Sequence, residues 1–508
     1  MNKLSRRRLL ALGLVAGGIG VGGAAWALGR DPHESAGRTL TSALPPPQRF
    51  RAPLPIPPVA RPTHGDHYDI TQRPSKVEIV PGTTTTVWGF DGHFPGPTLR
   101  VRRGREVTVK IHNRLPVPTT THLHGGVTPA SSDGFPTDLV VPKGYRWRPA
   151  SHHKDVWTRH DQARTYEYPI DQPAATLWYH DHRMDFTAPQ VWRGLAGFFI
   201  VDDDVADALP LPRGDRDVPL FICDRAFAAD GEFLYPSVDG TLAKPGVTGD
   251  FHQGVQGDVI LVNGAPWPVM DVDRARYRFR VLNGSNARRY RLALGTAPTE
   301  AAFTQIASDV GLLGAPVPLD ACDLAPAERR ELVIDFAHFP AGSEVTLLNT
   351  LDDGPTGAIM RFRVGASTRD DSEVPETLAP YEKLDPADVA ADRFFRFQVE
   401  GDKWTINDQT YDPAGTIARA TLDTIERWTF TSDFHHPIHV HLGHFQVASR
   451  DGKPPRPQDA GWKDTVDLRP FEVVEVLVRF AKHKGRYMIH CHNLEHEDMA
   501  MMANFDVV

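Results

Sequence analysis

Four pairs of histidines, each separated by one residue, constrain this chain more than any other feature. They are His122/His124 in THLHGG, His180/His182 in WYHDH, His439/His441 in HPIHVHLGHF and His490/His492 in MIHCHNLEHEDMAMM. On a helix, residues two apart do not face each other. On a β-strand they stand on one face. A chain that uses all four pairs as units must therefore place them on strands.

The composition agrees. Pro (44) and Gly (42) are abundant among 508 residues, which favours short strands joined by turns over long helices. Strand-like runs such as TLRVRRGREVTVKIHN, GDVILVNG and FEVVEVLVRF recur, whereas helical periodicity is short and scattered. The expected fold is all-β, with three sandwich domains at residues 63–205, 212–366 and 390–508. A Pro-rich stretch at 29–62 (LPPPQRFRAPLPIPPVARP) reads as an extended strap or linker.

Two histidine pairs fall in the first expected sandwich and two in the third, so their meeting place is the boundary between those domains. Paired imidazoles suit Zn, Cu, Fe or Ni. Eight exceed what one ion needs, so the site is expected to be polynuclear. Cys491 lies between His490 and His492 and must point to the opposite strand face. A second site is therefore expected behind the strand, drawing on His496 and Met501 downstream and on His436 upstream of His439. A His₂Cys set with a weak axial Met has the composition of a blue-copper centre. Structural zinc rarely combines a single Cys with a distant Met.

These segments, with FDGHFPGPTLRV, LWYHDH and NGAPWPVMDVDRARYRFRVLNGSN, resemble the multicopper oxidases, most closely the spore-coat laccase and bilirubin oxidase branch, over nearly the whole mature chain. The resemblance implies three cupredoxin domains, four copper ions and reduction of dioxygen to two waters. Carried over by position, it gives His436, Cys491, His496 and axial Met501 to a type 1 copper, and His122 and His439 to a type 2 copper. His124, His180, His182, His441, His490 and His492 go to a type 3 pair. Met499 and Met502 read as packing around the blue site. Asp133 and Glu497 resemble the family's carboxylates beside the cluster, where oxygen reduction consumes protons; the alternatives are a turn residue and a carboxylate orienting a ligand. Asp181 reads as structural or ligand-orienting, and His435 and His444 as hydrogen-bonded histidines outside the ligand set.

The implied function is laccase-like oxidation of phenols or aromatic amines by O₂. A metallo-oxidase of Cu⁺ or Fe²⁺ is the rival, weakened by a total of only eight Met, four of them in the last motif. Bilirubin oxidation belongs to the same chemistry. A copper-free envelope or cell-division protein of this fold would lack ligands, and none of the twelve is missing.

The first 28 residues form a separate unit. Ser5, Arg6 and Arg7 precede an apolar stretch, Leu9 to Leu28, that ends in Ala25-Trp26-Ala27, and together these resemble a cleavable twin-arginine export signal. The stretch is long enough for a membrane anchor, but its six glycines make it weakly hydrophobic. Loss of Lys3, Arg6, Arg7 and Arg8 takes the net charge from −8 to −12, which disfavours a nucleic-acid partner. The expected product is a monomeric periplasmic, envelope or secreted protein. Cys223 and Cys322, 99 residues apart, are read either as a disulfide or as two buried thiols.

Overall fold

The computed structural model describes residues 37–146, 156–296 and 301–508, and the segment expected to be an export signal lies outside them. The described chain is almost entirely β, with only short helices such as Thr187–Trp192 and Leu494–Asp498.

The sheets pair into three sandwiches. In the first, strands Gly96–Arg102, Ala196–Asp202, Ala175–Asp181 and Thr121–His124 form one sheet. Thr85–Phe90, His67–Val77, Val107–Asn113 and Ala163–Tyr168 form the other. Alternate residues of both sheets, including Ile70, Val109, Leu99, Leu177 and Phe199, fill the space between them. In the second, Asp217–Phe227, Arg276–Asn283 and Arg329–Asp335 belong to an eight-stranded sheet that packs on a five-stranded one through Phe221, Val281, Leu292, Leu347 and Phe362.

The third sandwich has two five-stranded sheets. One contains Val389–Glu400, Ile425–Ser432 and Val473–Arg479, and the other runs Ala418–Ala420, Met502–Val507, Gly485–Cys491, His436–Val440, Thr465–Leu468. Sequence-distant strands sit side by side in these sheets, as Greek-key crossovers require.

The Pro-rich segment ties the first two sandwiches together. Arg38–Leu40 pairs in parallel with Val255–Gly257, and amides of Phe50 and Leu54 bond to the carbonyls of Trp267 and Val269 at 2.8 Å. The amide of Ala60 then bonds to the Thr98 carbonyl, also at 2.8 Å. Prolines suit such an edge because they bring no unsatisfied N–H.

Cys223 and Cys322 stand in the core of the second sandwich as separate thiols, each pushed up to about 11 by burial. A cross-link closing so long a loop would contribute about 4–5 kcal/mol. The melting temperature of the metal-free protein should therefore not change when a thiol reductant is added. A fall on the order of 10 °C, the size expected from losing such a cross-link, would contradict the two-thiol arrangement.

Candidate metal centre

The strand pairings bring the histidines together. Thr121–His124 runs antiparallel to Ala175–Asp181 with His122 opposite His180, and His436–Val440 runs against Gly485–Cys491 with His439 opposite His490. The ends of these two sheets abut, and the rings interleave across the boundary. His122 stacks on His441 at 3.9 Å and His124 on His439 at 3.6 Å. All eight side chains are buried.

Hydrogen bonding fixes which ring nitrogens are bare. Nδ1 of His122, His180, His439 and His490 lies 2.5, 2.8, 2.9 and 3.0 Å from the carbonyl oxygens of Asp133, Asp181, Asp464 and Cys491. A carbonyl only accepts, so each Nδ1 carries the proton, and in a neutral ring Nε2 is an unprotonated acceptor. Burial, reinforced by the neighbouring imidazoles, holds His122, His439, His441 and His492 well below the ordinary value and brings His180 down to about 3.

The Nε2 atoms face one another across the cage. The Nε2 atoms of His122 and His439 are 3.4 Å apart, and Nε2 of His441 is 3.3 Å from that of His182 and 3.2 Å from that of His490. Facing lone pairs repel unless a cation lies between them. Separations of this size are those of neighbouring ligands around one ion with metal–nitrogen bonds of about 2 Å. The donor atoms group as His122, His124 and His439; His124, His180 and His492; and His182, His441 and His490. The residues fit a cluster of metal ions.

Cys491 points to the other side of its strand, into the core of the third sandwich. Its Sγ lies 3.3 Å from His436 Nδ1 and 3.7 Å from His496 Nδ1, and those two nitrogens are 3.2 Å apart. The Asn493 amide donates to the sulfur at 3.3 Å. The short helix Leu494–Asp498 carries His496 back over the strand, and the Met501 amide then bonds to the His496 carbonyl at 3.0 Å. Met501 is fully buried in the same core, whereas Met499 packs at its margin.

Both expected acids touch the cage. Asp133 follows the turn Ala130–Ser132 and places Oδ2 2.7 Å from His441 Nδ1; burial raises its carboxyl. Glu497 places its two oxygens 3.1 and 3.2 Å from Nδ1 of His182 and His490. Burial alone would raise Glu497, but those two rings outweigh it and hold it well below the usual range. Each acid thus fixes the outward nitrogen of a cage histidine.

Asp181 is structural. Its oxygens accept the amides of Thr120 and Arg183 at 3.0 Å, and burial pushes it up to about 7. His444 donates to the Gly125 carbonyl at 3.1 Å, as expected of a histidine outside the ligand set. The expectation for His435 needs correction. Among the described residues neither of its ring nitrogens has a hydrogen-bond partner; the nearby Asp467 is paired with Arg289.

Two supporting contacts are absent from any sequence motif, and a third, Trp178 on His180, lies within WYHDH. The Trp404 indole stacks on His496 at 3.7 Å and covers it. Trp178 stacks on His180 at 4.3 Å. Asp464 and Thr465 lie 3.1 and 3.2 Å from His124 Nε2.

An all-β chain with a buried polynuclear cage joined by one strand to a His₂Cys site belongs to the class of cupredoxin-type metalloproteins. The comparisons specify the family. Models described as multicopper oxidase match residues 384–508 and residues 71–158 with 150–206. The laccase of Bacillus subtilis (strain 168) is 34% identical over 525 residues, covering 91% of this chain and 98% of the relative. The bilirubin oxidase of Albifimbria verrucaria is 34% identical over 495 residues, covering 90% and 81%. The crystal structure of the laccase from Pediococcus acidilactici Pa5930 superposes with a TM-score of 0.78 at 30% identity, covering 93% and 96%. The chain is a multicopper oxidase.

Trp404 is nearly buried against His496. Trp404→Ala should cost about 3–5 kcal/mol, the usual range for emptying a buried Trp site, read by urea denaturation. A cost below about 1 kcal/mol, as is usual for surface substitutions, would contradict this packing.

Proposed function

We propose that this multicopper oxidase is laccase-like, taking electrons singly from phenols or aromatic amines. The observation that carries the reading is the pairing of a cage of bare, facing imidazole nitrogens with a His₂Cys site on the reverse of one strand. His436, Cys491 and His496, with Met501 in the same core, would hold a type 1 copper, and His122 and His439 a type 2 copper. His124, His180 and His492 would hold one type 3 copper, and His182, His441 and His490 the other. When bound, the four coppers accept electrons from the reductant and supply four of them to O₂, giving two waters.

The chain's own part is to hold these sites apart and connected. Cys491 is bonded through the backbone to both His490 and His492, so the two sites share one short covalent link. Trp404 and the sandwich core keep water from His496. Asp133 and Glu497 stand within hydrogen-bond reach of the cage rings; Asp133, raised by burial, can hold a proton where oxygen reduction consumes it, and the ionised Glu497 can accept one.

The second reading is oxidation of Cu⁺ or Fe²⁺. It is favoured by a crevice lined by Asp185, Glu495, Asp498 and Met499, groups suited to a cation, but Lys244 lines the same crevice. Two of these carboxylates are already engaged, which supports the organic reading. Glu495 accepts from Tyr235, Asn286 and the Val255 amide, and Asp498 caps the amides of Thr187 and Ala188. Bilirubin is a further organic candidate within the same chemistry. In this reading residues 1–28 direct export, the mature protein acts as a monomer, and its N-terminal sequence begins near Leu28.

The test is oxygen uptake by the copper-loaded mature protein with a methoxyphenol and with Cu⁺. Faster uptake with the phenol, lost in Cys491→Ser together with the blue colour, is the expected result. Preference for Cu⁺ would make the protein a metallo-oxidase. A blue, active serine variant would refute the assignment of Cys491.

A further inference from the structure

We infer that Arg329, in the sandwich that supplies none of the proposed ligands, is the positioning residue that sets which ring nitrogen of His124 faces the cage. This inference rests on the copper reading above.

His124 is oriented opposite to its neighbours. His122, His180, His439 and His490 donate outward through Nδ1, whereas His124 turns Nε2 outward, 3.1 Å from Asp464 Oδ1 and 3.2 Å from Thr465 Oγ1. The Thr465 hydroxyl spends its proton on Asp464 Oδ1 at 2.8 Å, so it can only accept from His124. His124 must therefore carry its proton on Nε2. Its Nδ1, buried and without a protein partner, is left as the bare nitrogen.

The group that dictates this arrangement is Asp464, and Arg329 holds Asp464. Nη1 and Nη2 of Arg329 grip the two carboxylate oxygens at 2.7 and 2.5 Å. Its remaining donors go to carbonyls: Nε to Thr176 at 3.1 Å, Nη1 to Ala327 at 3.1 Å and Nη2 to Asp309 at 2.8 Å. All five guanidinium N–H groups are thus used, and the fork has one possible orientation. Thr176 belongs to the first sandwich and Asp464 to the third, so Arg329 locks all three domains at His124.

The fit is close enough to require glycine next to the ligand. At Gly125, with φ +84°, a Cβ would lie 2.5 Å from Arg329 Nη2 and 2.6 Å from Asp464 Oδ2. Behind the fork, Lys463, fully buried, bridges Asp309 and Glu328 at 2.8 and 2.9 Å and fixes the carboxylate that accepts the Arg329 amide. A fully engaged, charged support of this kind is more than domain docking needs, and it ends on a proposed ligand.

Arg329→Lys provides the test, because it keeps the charge but exchanges the rigid fork for a single ammonium. In the full copper-loaded chain, the absorption of the Cys491 site should be unchanged while cage copper is lost to a chelator about 10–100-fold more readily, the usual effect of removing a group that orients a ligand. In the metal-free chain labelled with ¹⁵N-histidine, the His124 proton should sit on Nε2 in the wild type and be shared with Nδ1 in the variant. Gly125→Ala, which displaces the same pair, should give the same selective loss. Wild-type copper retention in Arg329→Lys would overturn the inference. So would loss of the blue absorption in step with cage copper, since that would mark general unfolding. A wild-type chain that takes up no copper would overturn the copper reading itself, and the Arg329 inference with it.

Discussion

The alternation of side chains along the strand Gly485–Cys491 is the constraint on which the rest of the structure depends. His490, Cys491 and the residue that follows, His492, cannot all face one way. Two imidazoles go to the cage between the first and third sandwiches, and the sulfur goes into the core of the third. The two sites are therefore neighbours by covalent necessity, whatever loops surround them. The other pairs follow from the same rule, since each His-x-His presents two rings to one side of a sheet end.

The cage is electrostatically unusual. Eight buried imidazoles crowd together; burial keeps most of them neutral, while Glu497, outweighing burial, raises His182, and the bare nitrogens of the neutral rings are strong acceptors. Such an arrangement has unsatisfied polar groups at its centre, which is costly in a dry interior. Metal binding relieves that cost, so copper loading and stability of the domain boundary are linked. The outer nitrogens of seven of the eight rings, all but His492, face carbonyls or Asp133, Glu497 and Asp464, which keep those rings aimed inward before any ion arrives.

Much of this was legible in the sequence because the ligands come in local units. Spacing of two residues implies a strand face, and a cysteine between two such histidines implies a reverse face. Cys491 and His496 are five residues apart and needed only a short return, while His436 entered as the neighbour of the pair His439/His441. The supporting residues were not legible, because their partners are distant in the chain. Arg329 and Asp464 are 135 residues apart and His124 and Asp464 are 340 apart, and neither pair has a local pattern to announce it. Trp404 likewise meets His496 only through the folding of the third sandwich. His435 shows the opposite failure. It was expected to be hydrogen-bonded, yet among the described residues neither ring nitrogen finds a partner, and no local pattern announces that. The choice between a disulfide and two thiols at Cys223 and Cys322 also had no local signature, and the core of the second sandwich accommodates both as separate side chains.

The measurement that tests the account most directly is anomalous X-ray scattering at the copper edge from crystals of the copper-loaded protein. The account predicts one peak beside the Cys491 sulfur and three enclosed by the eight histidines, with His124 contacting its ion through Nδ1. Anomalous density confined to the Cys491 site, or an empty cage in a fully loaded crystal, would contradict it.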